Sequence, residues 1–274
     1  VTSSVDQSPL GKSVAYASRY SPAALFAIAR APQRAALGLS PALPFSGADL
    51  WTAYEISWLD ARGKPEVAVA SFRVAAESPN IVESKSVKLY LNSFSETRFD
   101  TPAEIERVMS EDLGRAFGNP VTVALVRPPE FARLRASALQ GESIDAITVD
   151  IEEYSLAPYW LSAGQTSVEE TLVSDLFKSN CPITGQPDWA SVQIRYCGPR
   201  IDRTGLLRYI VSFRRHSGFH EHCVERMFVD IVERCRPERL SVYARFTRRG
   251  GLDINPFRSN WESPPAENVR TGRQ

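Results

Sequence analysis

The 274-residue chain carries 32 lysines and arginines against 32 aspartates and glutamates, with 43% hydrophobic and 10% aromatic residues. That apolar content is ample for the core of one large domain or two ordinary ones, and the zero formal charge removes any general electrostatic argument for a nucleic-acid or membrane-surface partner. No stretch approaches the roughly 20 apolar residues of a membrane span, residues 1–20 show no secretory h-region, and four cysteines without a dense framework spacing suit reduced thiols in the cytoplasm.

In chain order, Ser21-Pro22 predicts a helical stretch through Ala29, with serine at the N-cap and proline in the first turn, inside an N-terminal extension of residues 1–49. Residues 51–59 and 66–74 are rich in β-branched and aromatic side chains and flank the turn-forming Asp60-Ala61-Arg62-Gly63-Lys64, which predicts a hairpin. Val87, Tyr90, Leu91 and Phe94 form one stripe of an amphipathic helix. A second helix begins at Thr101-Pro102, runs to about residue 116 and stops near Gly118-Asn119-Pro120. Strands over 121–126 and 146–153 complete a first module, residues 50–154. Residues 155–174 read as a linker at the head of a second module, residues 155–274. There, a loop over 179–189 leads into a strand over 190–196, Leu206, Tyr209, Ile210 and Phe213 repeat the helical stripe, a helix covers 220–235, and strands over 240–246 and 252–254 follow.

The two modules are copies. Subtracting 119 from Leu206, Tyr209, Ile210, Phe213, Val224, Glu225, Arg226, Met227 and Phe228 lands on Val87, Tyr90, Leu91, Phe94, Ile105, Glu106, Arg107, Val108 and Met109. With a three-residue gap the match extends backward, setting Arg73 against Arg195 and Leu59 against Cys181. The repeated order β-β-α-α-β-β, with both helices inserted between hairpins, predicts an α+β fold of antiparallel sheet with helices on one face.

Chemistry concentrates in a few segments. Cys181 lies in a loop with Asp188 seven residues on, a thiol nucleophile with a proton donor close by; the plainer reading is a small buried cysteine. All three histidines fall in His216-Ser217-Gly218-Phe219-His220-Glu221-His222 at the mouth of a helix, where metal ligation, base catalysis and ligand anchoring compete. Glu221 there can accept two parallel hydrogen bonds from adjacent N–H donors of a guanine-like ring. Val82-Glu83-Ser84-Lys85-Ser86 opens the first helix of the first copy with groups that favour an anion, and Arg245-Phe246-Thr247-Arg248-Arg249-Gly250-Gly251 clusters guanidiniums on a flexible backbone; each also reads as an ordinary cap or turn. No Rossmann or P-loop motif occurs.

Together these segments resemble the two-module form of the NADPH-dependent 7-cyano-7-deazaguanine reductases. Glu83-Ser84-Lys85-Ser86-Val87-Lys88-Leu89-Tyr90 is similar to the family signature, Cys181 through Asp188 to its nucleophile loop, and Phe219-His220-Glu221 to its substrate element. The resemblance implies tandem tunnelling-fold modules and metal-free reduction of a nitrile to an amine by two NADPH, in biosynthesis of the tRNA nucleoside queuosine. It implies that Cys181 attacks the nitrile carbon to form a thioimide, that Asp188 donates a proton, that Val82, Glu83, Ser84, His220 and Glu221 bind substrate, and that Ser84, Lys85, Arg249 and Gly250 contact NADPH. A cytoplasmic homodimer without direct nucleic-acid or membrane contact is expected. Two other readings stand beside it: a zinc-dependent hydrolase resembling the GTP cyclohydrolases, with ligands from Cys181, His220, His222 or Cys223, and a non-catalytic binding module.

Overall fold

The computed structural model describes residues 17–274, so residues 1–16 of the expected N-terminal extension lie outside the described residues. After a single 3-10 turn at Pro22–Ala24, the elements are β1 (Ala27–Ala29), α1 (Ala31–Ala36), β2 (Ser46–Leu59), β3 (Pro65–Ala75), β4 (Asn80–Val82), α2 (Ser84–Asn92), α3 (Pro102–Phe117), β5 (Thr122–Val126), β6 (Glu142–Ser143), β7 (Ala163–Asn180), β8 (Pro187–Ile201), α4 (Arg203–Ser212), α5 (His220–Cys235), β9 (Arg239–Phe246) and β10 (Leu252–Ser259). Eight strands form one sheet in the order β5-β3-β2-β10-β9-β8-β7-β6, and β1 pairs separately with β4. No helix among the described residues is long and apolar enough to cross a membrane.

The predicted α+β class holds, and the two copies are joined edge to edge. β10 pairs antiparallel with β2 along its whole length, from Leu252 opposite Ala53 to Ser259 opposite Ser46, so the sheet runs without a break from one copy into the other. Each copy keeps its own core under its own helices. Trp51, Phe72, Val87, Tyr90, Phe94, Met109 and Phe117 pack together in the first, and Phe177, Ile194, Leu206, Tyr209, Phe213, Met227 and Phe246 in the second. Alternation along the strands forces this: Trp51 and Phe72, opposite each other and stacked at 5.2 Å, face the helices, which leaves Thr52 and Arg73 on the other side.

The helix pairs are pinned alike. Tyr90 donates to Asp112 at 2.8 Å in the first copy, and Tyr209 donates to Asp230 at 2.7 Å in the second. These pairs correct the repeat by one residue. The first helices correspond at an offset of 119, whereas the buried set Ile105, Met109, Asp112, Leu113 and Phe117 of α3 matches Cys223, Met227, Asp230, Ile231 and Cys235 of α5 at an offset of 118. The Glu-Arg pairs that suggested 119 are not equivalent positions.

Three further expectations fail. Ala27–Ala29 is a strand, because its backbone pairs with Val82, Ile81 and Asn80 of β4; tertiary pairing overrides the helical propensity of alanine. Residues 146–153 form no strand: Ile147, Val149 and Ile151 alternate, but they pack on the second core without a ladder. The first module therefore lacks its fourth strand, and residues 127–141 instead carry the chain across the sheet to β6, which pairs parallel with β7. Residues 163–174, expected as linker, are the first part of the 18-residue β7. The hairpin partner is longer too, since β8 begins at Pro187.

Candidate active site

The hairpin of β7 and β8 ends in a tight turn that holds Cys181. The Cys181 amide donates to the Gln186 carbonyl at 2.8 Å and the Gly185 amide donates back to the Cys181 carbonyl at 3.1 Å. Gly185 has φ 68°, a conformation that costs other residues about 1 kcal/mol or more and glycine little. A second strap comes from the segment before α5. The Asn180 amide donates to the His216 carbonyl at 2.9 Å and accepts Gly218 N–H at its own carbonyl at 3.1 Å. The Asn180 side chain donates to the carbonyls of Arg214 and His216, both at 3.1 Å, so the thiol and the start of α5 are fixed relative to each other.

At the start of β8, Asp188 is buried between the Arg249 guanidinium and the His220 imidazole: Arg249 Nη1 lies 3.3 Å from one carboxylate oxygen and His220 Nε2 lies 3.5 Å from the other. The His220 ring is stacked on Phe246 at 3.7 Å with the planes within 2°. His220 is the first residue of α5, and Glu221 beside it is a buried carboxylate, 4% exposed. Burial pushes the Glu221 carboxyl up, with Asp49 acting in the same direction and Arg30 and His220 opposing.

The first copy contributes β4 and the entry to α2. Glu83 is the N-cap: its carboxylate accepts the amides of Lys85 at 2.6 Å and Ser86 at 2.8 Å, which satisfies donors the helix start would leave bare. Burial raises the Glu83 carboxyl, against the pull of those two amides. The corresponding device in the second copy is Asp202, which accepts the amides of Thr204 and Gly205.

These segments enclose a narrow cavity, and both copies supply its wall. Val82 and Ser84 come from the first copy and Cys181, Asp188, His220, Glu221 and Arg249 from the second. Seven of the residues predicted from sequence thus meet in one place. Three do not line it. Glu83 is occupied with its cap, Lys85 stands in the first turn of α2, and Gly250 sits at the rim, where a Cβ would lie 3.2 Å from Lys88 Nζ. Sequence reasoning missed the apolar wall made by Ile81, Pro182, Leu252 and Ile254, since single aliphatic residues in strands carry no signal of a ligand. It also missed the stacking of Phe246 under His220.

The rim fits a phosphate-bearing cofactor. Lys85, Lys88, Arg248 and Arg249 stand on the two segments that meet there, and the Glu55 carboxylate packs against Gly251 with one oxygen 3.6 Å from Lys88 Nζ. Among the described residues, no three His, Cys, Asp or Glu side chains are placed to hold a metal ion. Cys223 is buried and pushed up to about 12 by that burial, and His222 is held down to about 4 by burial, with His216 second.

A thiol, a buried carboxylate and an apolar wall under a basic rim are the parts of an enzyme site, and comparison with known proteins specifies the family. Residues 16–125 match the family described as "Nitrile reductase, 7-cyano-7-deazaguanine-reductase N-term", and residues 187–265 match the one described as "QueF-like protein". Curated relatives named "NADPH-dependent 7-cyano-7-deazaguanine reductase" include one from Burkholderia multivorans, 58% identical over 271 residues covering 98% of this chain and 99% of the relative. Another from Burkholderia cenocepacia is 57% identical over 273 residues with the same coverage. One from Burkholderia vietnamiensis is 56% identical over 271 residues, again with 98% and 99% covered. The chain belongs to the family of NADPH-dependent 7-cyano-7-deazaguanine reductases, oxidoreductases built from tandem tunnelling-fold modules.

Proposed function

We propose that this chain reduces the nitrile of 7-cyano-7-deazaguanine to the primary amine of 7-aminomethyl-7-deazaguanine, consuming two NADPH, as a step towards queuosine in tRNA. The observation that carries the reading is the meeting of Cys181, Asp188, Glu221 and Ser84 in one cavity of a chain in this family.

Glu221 accepts the ring N–H and exocyclic amine of the deazaguanine edge, while His220, Val82 and Ser84 flank the ring and Glu83 holds Ser84 through its cap. Cys181 Sγ adds to the nitrile carbon: a C–S bond forms, one C–N π bond breaks, and the thiol proton passes through Asp188 to the nitrogen, giving a thioimide with no atom lost. A nitrile carbon is a poor hydride acceptor, and the protonated thioimide is a better one. Bound NADPH supplies hydride twice, four electrons in total. Cys181 leaves as thiolate between the two reductions, which is why the nucleophile is sulfur and not oxygen. Ser84, Lys85, Arg249 and Gly250 hold the cofactor, and Arg249 also faces the Asp188 carboxylate.

A homodimer in the cytoplasm without direct nucleic-acid contact belongs to the same proposal. β5 ends the sheet and pairs only with β3 among the described residues, leaving an edge for a second copy, and the four cysteines are free thiols. Loss of NADPH absorbance on mixing with the nitrile tests the reaction. Two NADPH oxidised per nitrile consumed is the expected stoichiometry; no oxidation, or oxidation independent of the nitrile, contradicts it.

A further inference from the structure

Behind the cavity lies a buried ionic cluster that the reaction as described does not use. Arg30 and Arg34 come from the segment between β1 and the end of α1, Asp49 from β2, Glu225 from α5 and Arg258 from β10. Arg30 Nη2 is 2.5 Å from Asp49 Oδ2, and Arg258 Nη1 is 2.8 Å from Asp49 Oδ1. Arg258 Nη2 is 2.9 Å from Glu225 Oε1, and Arg34 Nη2 is 2.7 Å from the same oxygen. Arg258 and Asp49 are both 0% exposed. A buried cation normally meets its own anion, because an unbalanced charge away from water is costly. Here three guanidiniums share two carboxylates, which leaves one positive charge in surplus.

Glu221 lies one turn before Glu225 on the same face of α5. Among the described residues no side chain donates a hydrogen bond to its carboxylate or pairs with it, although it is buried. The charged and titratable groups around it are Arg30 and Asp49 from the cluster side, His220, Cys223 and Glu225 on its own helix, Arg258 on β10, and Cys181, Asp188 and Arg249 across the cavity.

We infer that Arg30 is a positioning residue for Glu221: its guanidinium, 3.7 Å from Glu225 one turn along α5, favours the ionised form of the substrate-anchoring carboxylate against its burial and the neighbouring Asp49, and the ion pairs to Glu225 fix the turn of α5 that aims it. This rests on the reading of Glu221 as the anchor of the deazaguanine edge. Only the anionic form accepts two N–H donors, so binding is lost as Glu221 gains a proton. The N-terminal segment that bears Arg30 is thereby part of the substrate site, since β1 also fixes Val82 through β4.

The experiment measures equilibrium binding of 7-cyano-7-deazaguanine against pH in the full chain carrying Cys181→Ala, where no chemistry follows binding. Arg30→Gln removes the surplus charge and should move the acidic limb of binding to higher pH by about one unit, whereas Asp49→Asn enlarges the surplus and should move it to lower pH. The double variant Arg30→Gln with Asp49→Asn restores one surplus charge and should bring the limb back towards its parent position. Damage to packing alone shifts no limb, or shifts both single variants in the same direction, and either result overturns the inference. If Arg30→Gln does not fold by near-ultraviolet circular dichroism, the less buried Arg34→Gln takes its place, with a smaller shift of the same sign. Glu221→Gln is the control for the underlying reading: it should weaken binding at least 100-fold, and unchanged affinity there overturns the anchor itself, separately from the behaviour of Arg30 and Asp49.

Discussion

Among the three buried cysteines, position separates one from the other two. Cys181 lines the cavity, whereas Cys223 and Cys235 are packed in the second core and are pushed up by burial to about 12 and about 11. Cys181→Ala should abolish NADPH oxidation while retaining nitrile binding. Cys235→Ala should leave turnover within about twofold and lower stability by about 1 kcal/mol in denaturant unfolding, the cost of a small cavity. Asp188→Asn should cut kcat by about 10² to 10⁴ with a smaller change in KM, the range for losing a positioned proton donor. His222 gives a pH prediction of known sign. Its folded value of about 4 lies below 6.5, so between those limits the unfolded chain binds more protons and stability falls as the pH falls; above 6.5 that contribution is fully present. The slope from this group is at most about 1.4 kcal/mol per pH unit. His222→Gln should flatten urea stability across that window, and an unchanged slope would assign the acid sensitivity elsewhere.

At the scale of elements, the two copies repeat a cap, a stripe and a tyrosine-aspartate pin. Glu83 and Asp202 cap α2 and α4 in the same way, and Glu83→Ala should cost about 1 kcal/mol of stability together with a rise in KM for both substrates, measurable in one titration series. The helices and the hairpins were legible because period 3.6 and period 2 leave clear marks: Val87, Tyr90, Leu91 and Phe94 are on the buried side of α2 and its continuation. The failures share a physical cause. Ile147, Val149 and Ile151 alternate as a strand would, and burial against a core satisfies that pattern without a hydrogen-bonded neighbour. Ala27–Ala29 reads as helix because propensity is local, while the β4 backbone that claims it is 50 and more residues away. The one-residue slip between α3 and α5 arose from matching Glu106-Arg107 to Glu225-Arg226. What the duplication preserves is the buried set, and Glu225 has since taken a place in the arginine cluster.

For the whole molecule, duplication followed by division of labour predicts that neither copy is an enzyme by itself. The cavity takes Ile81, Val82 and Ser84 from one copy and its thiol, carboxylates and arginine from the other, and β2 with β10 welds the two halves of the sheet. Residues 155–274 expressed alone should bind no nitrile by calorimetry, having lost both a wall and the strand beside β10. Seven residues of the candidate site were legible because a thiol with a nearby carboxylate, a histidine cluster and clustered arginines each carry a chemical signature. Its supports were not: Arg30, Asp49 and Arg258 are scattered over more than 200 positions and become a cluster only when β1, β2 and β10 meet.

The central claim, that Cys181 forms a covalent bond with the nitrile, is tested most directly by mass spectrometry of the intact chain incubated with 7-cyano-7-deazaguanine and no NADPH. The account predicts a gain equal to the full mass of the nitrile, because addition across the triple bond loses no atom, located on the peptide containing Cys181 and released on adding NADPH. No gain in mass, or the same gain in the Cys181→Ala variant, would contradict it.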